Sequence, residues 1–275
     1  MAIGNSNMHK ISANSKLIFN LNQNLFTYSI FNTETNTFQS VKTYSIENNT
    51  NFEDNMYNII QNDKTLKKKY KKTLGTIESK NCTFIPDVFF DKKKLHNYLH
   101  FNNKANSDNL YLSTKQQFTN CHSVFTINSR LEQLLNKSFN NLNIKSFESV
   151  FVDYSLHLQI ENYDALFVHI DKNVFFLTLI RNKKLIFFNQ FSFENNDEFL
   201  YYFMNCLDVL KLNASTIKLN IMSSLEKNHT TLHILRQYVK HIYFVKRSVN
   251  FLYEDQIMSQ NEHLNHHLFS QIICE

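Results

Sequence analysis

The sequence predicts an α/β protein built from two tandem copies of one unit, each running βββαβαβ, with an insertion in the first copy. An internal repeat is the main reason. Leu17-Ile18-Phe19-Asn20-Leu21-Asn22-Gln23-Asn24-Leu25-Phe26 lines up without a gap on Leu166-Phe167-Val168-His169-Ile170-Asp171-Lys172-Asn173-Val174-Phe175, apolar position on apolar position. Further on, Tyr44 to Phe52 lines up on Phe191 to Phe199 with five of nine residues identical. A second reason is that both copies pass from short apolar runs of strand length to helical spacing in the same order. The offset drops from 149 to 147 between the two matches, which a two-residue longer turn between Phe31 and Phe38 absorbs; Thr, Asn and Glu mark that stretch as a loop. Chance similarity in a biased composition is the alternative, and the preserved order of elements weighs against it.

In the second copy, Ala165 to Ile170, Val174 to Ile180 and Leu185 to Phe193 are apolar and aromatic runs that predict three antiparallel strands. Asp171-Lys172-Asn173 and Asn182-Lys183 are the turns between them; with no glycine available, an asparagine is expected in the left-handed position of each. Phe199, Leu200, Phe203, Leu207 and Leu210 recur at helical spacing over Asn196 to Leu212, behind a polar, acidic start at Glu194 to Asp197. A strand at Ile217 to Ile221, a helix at Thr230 to Lys240 and a strand at His241 to Val245 complete the unit. The first copy opens the same way, with strands near Lys16 to Leu21, Leu25 to Phe31 and Phe38 to Ile46, a helix from Phe52 to Asp63 and a strand at Thr73 to Glu78. It resumes with a helix at Ser129 to Phe139, a strand at Ile144 to Phe147 and a helix at Ser149 to Ile160. Cys82 to Phe118 interrupts the scheme as an insertion, with a short helix from Lys92 to Phe101 and a polar loop from Asn102 to Asn109. The expected organisation is therefore residues 1–162 for the first half, with the insertion at about 82–118, residues 163–247 for the second half, and 248–275 as a C-terminal extension. Phe52 and Phe199 hold equivalent places, and both are expected to be buried.

Composition narrows the function classes. The 275 residues are 43% hydrophobic, 14% aromatic and 19% charged, which is a core-forming chain rather than a disordered one. Gly4 and Gly75 are the sole glycines and Pro86 the sole proline, against roughly 7% and 5% in ordinary proteins. Every glycine-rich phosphate loop is thereby excluded. Abundant Asn, Lys, Ile, Phe and Tyr in place of Gly, Ala, Arg and Trp fits an adenine/thymine-rich coding sequence, so asparagine abundance carries no functional message. No apolar stretch has the length of a membrane span, and residues 1–15 lack a signal-peptide core. Cys82, Cys121, Cys206 and Cys274 are scattered without a C-x-x-C pair, so reduced thiols and a cytoplasmic location are expected.

Three antiparallel strands followed by alternating helices and strands, present twice with an insertion in the first copy, resemble the duplicated ribonuclease-H-like fold of actin-like ATPases, with PilM of pilus assembly and the division protein FtsA as similar bacterial members. Phe84-Ile85-Pro86-Asp87-Val88-Phe89-Phe90, Tyr98-Leu99-His100-Phe101-Asn102, Phe188-Asn189-Gln190-Phe191 and Glu198-Phe199-Leu200-Tyr201-Tyr202 resemble more closely an uncharacterised family of Bacteroidota proteins, a domain of unknown function. The resemblance spans nearly the whole chain, and its motifs are aromatic and apolar, so it implies a fold and no chemistry. In actin-like ATPases the first turn of each half brings an acidic residue and a glycine to the nucleotide phosphates and their magnesium. The corresponding cofactor-binding candidates here are Asn22, Gln23 and Asn24 in the first turn and Asp171, Lys172 and Asn173 in the second. Asp171 alone keeps a carboxylate, and side chains stand where glycine lets a phosphate approach the backbone. Met222-Ser223-Ser224-Leu225-Glu226 stands where an adenosine-binding glycine pair is expected. These are degenerate phosphate turns, and neither a cofactor nor a metal is expected.

Other chemical candidates have plainer readings. Lys64, Lys67, Lys68, Lys69, Lys71 and Lys72 surround Tyr70 and could meet phosphates, yet a solvated helix end suits them better because no aromatics interleave for base stacking. Lys92, Lys93 and Lys94 form a smaller patch. Glu262, His263, His266 and His267, with Cys274 beyond, have the spacing of metal ligands on one helical face, but no second ligand pair accompanies them and terminal histidines are usually solvated. Cys121 and His122, adjacent on a strand, point to opposite faces and do not make a dyad. Cys206 falls in the apolar pattern of its helix. The leading expectation is a non-catalytic actin-like scaffold that binds a protein partner, because PilM-like proteins bind a peptide of a membrane-associated partner; the resemblance places the groove in the first half or its insertion. The alternatives are a divergent nucleotide-binding protein using Asp171 with magnesium, and a nucleic-acid contact through the lysine cluster.

Overall fold

The computed structural model describes residues 14–46, 51–100, 108–159 and 163–275. The Glu47-Asn48-Asn49-Thr50 part of the repeat, Phe101-Asn102, most of the polar loop expected at Asn102 to Asn109, and residues 1–13 lie outside them. The chain divides into two compact units, Met1–Val150 with Val249–Ser259 and His267–Glu275, and Phe151–Ser248 with Gln260–His266.

The first unit begins with β1 (Ser15–Leu21), β2 (Leu25–Asn32) and β3 (Thr37–Ser45), antiparallel neighbours, then α1 (Phe52–Asn62) and β4 (Lys72–Ile77), which returns parallel to β1. After the inserted region come α3 (Ser129–Ser138) and β8 (Leu142–Ser146), parallel to β4; α4 (Phe147–Leu158) follows, its residues to Val150 belonging to this unit and those from Phe151 to the second. Apolar alternation places Leu17, Phe19, Leu21, Phe26 and Tyr28 on one sheet face, where Met56 and Ile60 of α1 and Leu131 and Leu135 of α3 cover them. Gly75 has a steric reason. An added Cβ would stand 2.2 Å from Phe19 Cζ on the neighbouring strand, so only a bare backbone fits there.

The second unit repeats this plan with β9 (Ala165–Ile170), β10 (Val174–Arg181), β11 (Lys184–Ser192), α5 (Asn196–Val209), β12 (Lys218–Ser223), α6 (Thr230–Tyr238) and β13 (His241–Phe244). Its sheet order β11-β10-β9-β12-β13 matches β3-β2-β1-β4-β8. The match extends to single hydrogen bonds. Asn22 N–H reaches Leu25 O at 3.0 Å and Asp171 N–H reaches Val174 O at 2.9 Å; Ile46 N–H reaches Asn24 O at 2.8 Å and Phe193 N–H reaches Asn173 O at 3.0 Å. Both copies carry a register break between their second and third strands, between Ser29 and Phe31 and between Leu179 and Ile180.

Three local expectations need correction. The Asp171-Lys172-Asn173 turn has no left-handed residue, whereas the Asn182-Lys183 turn has two, at φ 50° and 58°, the geometry of a tight hairpin with both central residues left-handed. Helix α5 stops at Val209, short of Leu212, because Lys211 turns left-handed at φ 54°. Phe199 is fully buried, but Phe52 is only half-buried. In the second copy Asn195 caps the helix by accepting the Glu198 N–H, so Phe199 sits one turn in; in the first Asn51 is the cap, accepting the Glu53 N–H, and Phe52 is the first helical residue.

The region between β4 and α3 forms its own antiparallel sheet in the order β5-β7-β6, from β5 (Cys82–Pro86), β6 (Asn109–Lys115) and β7 (Cys121–Asn128), with α2 (Leu95–His100) and two single 3₁₀ turns at Asp87–Phe89 and Lys92–Lys94. The C-terminal segment supplies β14 (Leu252–Tyr253), α7 (Asp255–Met258) and α8 (His266–Ile273). β14 joins the first unit's sheet parallel to β3. There Phe251 and Phe269 pack against Phe38, and Gln271 Nε2 donates to Phe19 O at 2.9 Å and Thr76 Oγ1 at 3.0 Å.

Candidate functional site

The two turns singled out as phosphate sites have the same backbone path and different side-chain chemistry. Asn22 is buried and folds back on its own turn, its Oδ1 accepting the N–H groups of Asn24 at 2.9 Å and Leu25 at 2.7 Å. A phosphate at this turn would need those amides. Gln23 and Asn24 are exposed beyond it. In the second copy Asp171 Oδ1 accepts the Lys172 N–H at 2.7 Å, and Lys172 and Asn173 are exposed. The segment at the expected adenosine position is also closed: Ser223 Oγ donates to Ile170 O at 2.9 Å and accepts the Leu225 N–H at 2.9 Å, while His263 Nε2 lies 2.8 Å from Leu225 O. Side chains of the chain itself thus occupy backbone amides of both turns and of the segment that follows β12.

The lysine cluster is a structured turn after α1. Leu66 and Tyr70 are buried in the first unit's core, and Tyr70 donates its hydroxyl to Thr65 O at 2.9 Å. A buried ring is no stacking platform for a base. At the head of this turn Asp63 accepts from the Tyr28 and Tyr44 hydroxyls, each at 2.7 Å, from Lys42 Nζ at 2.9 Å and from Thr65 N–H at 2.8 Å. Burial would raise its pKa, and those donors outweigh it, holding the carboxyl well below the usual range.

The C-terminal histidines are not solvated. His263 and His266 are buried, and His266 Nε2 lies 2.8 Å from Val245 O. Glu262 is exposed beside Lys246, and residues 262–265 form a turn ahead of α8, so the presumed single helical face does not exist. No cluster of three metal-ligating side chains occurs among the described residues. His122 stacks on Phe90 at 3.7 Å and Cys206 lies in the second unit's core.

Two features escaped sequence reading. Glu148, at the start of α4, is fully buried; its Oε1 accepts the Ser79 N–H at 3.0 Å, its Oε2 has no hydrogen-bond partner, and burial raises its pKa to about 8. With no exposure it cannot pass a proton to a bound substrate as it stands. The other is the turn after β5. Val88 and Phe89 are 85% and 72% exposed, yet the backbone carrying them is pinned on both sides. Asp87 pairs with Lys115 and lies 3.1 Å from His122 Nδ1, while Tyr98 donates its hydroxyl to Phe89 O at 2.6 Å and accepts the Asp91 N–H at 2.8 Å. Lys92, Lys93 and Lys94 are exposed next to it. The signal was the apolar Val88-Phe89-Phe90 run after Pro86, which has no partner run of its own.

A fold repeated twice around side-chain-filled turns matches one family model, described as a protein of unknown function (DUF3822), over residues 5–242. The chain belongs to the DUF3822 family. A Bacteroides thetaiotaomicron protein described as having an actin-like ATPase fold and unknown function superposes with a TM-score of 0.84 at 17% identity, over 97% of this chain and 98% of that one. PilM in the PilM-PilN type IV pilus biogenesis complex superposes with a TM-score of 0.58 at 7% identity, over 94% and 96%. No curated protein matches the sequence. This DUF3822 chain therefore has the duplicated ribonuclease-H-like fold of actin-like ATPases, and no described helix is long and apolar enough to cross a membrane.

Proposed function

We propose that this DUF3822 protein is a non-catalytic actin-like adaptor of the cytoplasm, and that the pinned turn at Val88 and Phe89 anchors a protein partner. The single observation that carries the reading is that exposed apolar pair on a backbone held rigid from both sides. An anchor ordered before binding costs little conformational entropy on docking, and exposed aromatic and aliphatic side chains in one place are what interface centres use. The PilM structure, solved as a complex with PilN, supports partner binding by this fold. Asn22, Gln23, Asn24, Asp171, Lys172 and Asn173 are on this reading relics of phosphate turns, supported by the internal hydrogen bonds of Asn22 and Asp171. Quantitative affinity purification of the native chain against Val88→Asp/Phe89→Asp tests the proposal: at least one partner should be retained by the parent and lost from the double variant. Identical partner sets would refute the anchor. Thermal shifts with magnesium and ATP or GTP should be nil, and a saturable stabilisation abolished by Asp171→Ala would reinstate nucleotide binding.

A further inference from the structure

The anchor at Val88 and Phe89 leaves one dense charge of the first unit without a use, the six lysines within the nine residues Lys64 to Lys72. Leu66 and Tyr70 of that turn are buried in the core, which fixes it from below, while Lys64, Lys67, Lys69 and Lys71 are exposed. Lys137 is exposed at the end of α3, three residues before the Asn140 that binds this turn. At the margins, Lys42 pairs with Asp63 at 2.9 Å and Lys72 with Glu275 at 2.8 Å. For Lys64, Lys67, Lys69, Lys71 and Lys137, no carboxylate lies within ion-pair distance among the described residues. Like charges held together on a fixed turn repel one another, a cost that an anionic partner relieves.

The groups around these ammoniums say which anion fits. Lys68 N–H donates to Thr65 O at 3.2 Å and Lys71 N–H to Ser15 O at 2.9 Å. Asn140 clamps Tyr70 from both sides, accepting its N–H at 3.2 Å and donating to its carbonyl at 2.6 Å, and Asn141 donates to Lys71 O at 3.1 Å. The helix ends beside the turn are the C-termini of α1 and α3, which offer carbonyls rather than amides. What reaches solvent is therefore ammonium charge, without the amide and stacking contacts by which proteins seat a nucleic-acid backbone. Charge spread over a turn with no local donors suits a partner whose own charge is spread over a surface. We infer that this turn, with Lys137, rests on a membrane surface of anionic phospholipid, held by lysine charge and without insertion. Each lysine near such a surface raises affinity about fivefold. Leu66 and Tyr70 face the core, so no buried hydrocarbon adds to the contact and salt screens it. The inference does not depend on the partner anchor, whose residues lie in the inserted region.

The probe is a vesicle of phosphatidylcholine with about one-third phosphatidylglycerol, sedimented with the full chain at about 0.1 M salt. Half-binding is expected on the order of 0.2 mM accessible lipid, with release at about 0.5 M salt and no binding to pure phosphatidylcholine. Lys67→Gln/Lys69→Gln/Lys71→Gln should lower the affinity roughly a hundredfold. Each of the three single changes should lower it about fivefold, which maps the contact if the triple variant fails to fold. Removing the same charge elsewhere, by Lys92→Gln/Lys93→Gln/Lys94→Gln, should change it less than about twofold, since lysines off the contact are screened. Val88→Ser/Phe89→Ser should leave it unchanged, which separates this contact from the partner anchor. Equal binding to neutral vesicles, indifference to the turn variants, or an equal loss in either control variant would overturn the inference. So would tighter binding of duplex DNA or single-stranded RNA at the same salt with the same dependence on the turn lysines, since the occupant would then be nucleic acid. Release from the vesicles by inorganic phosphate beyond its ionic strength would also overturn it, by marking a discrete phosphate site.

Discussion

Glu148 shows how one buried side chain can set a pH response. Its carboxyl is removed from water at the first turn of α4, and burial, reinforced by the negative charge of Glu78, lifts its pKa from an ordinary 4.5 to about 8. Between those values the folded state keeps a proton that the unfolded chain has released. Stability therefore falls as pH rises from 4.5 to 8 and levels off above. Glu148→Gln keeps an acceptor for the Ser79 amide and removes the titration. Urea unfolding across pH 5 to 8 should show the variant gaining on the parent as pH rises, by up to roughly 1.4 kcal/mol per pH unit. A variant that tracks the parent throughout would mean Glu148 is ionised in the folded state.

At the scale of elements, the repeat was legible because strands and turns alternate sharply in composition. Ala165 to Ile170 and Val174 onward are bounded by polar turns, so β9 to β11 fall within about one residue of the apolar runs. β7 was not placed in full because Cys121-His122-Ser123-Val124-Phe125-Thr126-Ile127-Asn128 mixes polar residues into both faces, and its role as the central strand depends on β5 and β6 from elsewhere in the chain. β14 has two residues, too few for any pattern, and exists because a distant edge receives it. The candidate site was less legible still. Position in the fold identified Asn22 and Asp171, but the hydrogen bonds that close their turns are tertiary facts, as is the exposure of Val88 and Phe89. Phe52 and Phe199 test what equivalence is worth. Phe199 lies between Phe175 at 5.0 Å and Phe193 at 5.4 Å, so Phe199→Ala should cost about 3 to 5 kcal/mol. Phe52, half-buried at a helix start, should cost about 1 kcal/mol when truncated, since less apolar area leaves water there. Urea denaturation of both variants decides it; equal losses would mean that Phe52 is as enclosed as its counterpart.

For the whole molecule, the two units should respond to acid in opposite directions. The unit containing Phe151–Ser248 and Gln260–His266 holds three buried histidines, His169, His263 and His266. Burial lowers all three, His169 to about 3 with help from neighbouring His266, and His266 to about 4 against the opposing hydrogen bond to Val245 O; for His263 the Leu225 O bond and nearby Glu226 also oppose, and Lys227 and Arg247 assist. Each stays neutral when folded while the unfolded chain takes up a proton below 6.5, so their contribution is complete above that pH and is lost as pH falls toward 4. In the other unit Glu148 acts with the opposite sign over 4.5 to 8. Asp63 there is held low, so its contribution is lost only below the ordinary carboxylate value of 3.8, outside this window. Going from pH 7.5 to 5 should therefore weaken the second unit and strengthen the first. Hydrogen exchange at the two pH values, corrected for intrinsic rates, should show β9 and β12 losing protection while β1 and β4 hold or gain it. His266→Gln should lessen the response of β9 and β12, which His169 and His263 still sustain, and leave that of β1 and β4 unchanged. A parallel loss in both units on acidification would contradict the protonated state of Glu148, and unchanged protection of β9 and β12 would contradict the buried, neutral state of the histidines.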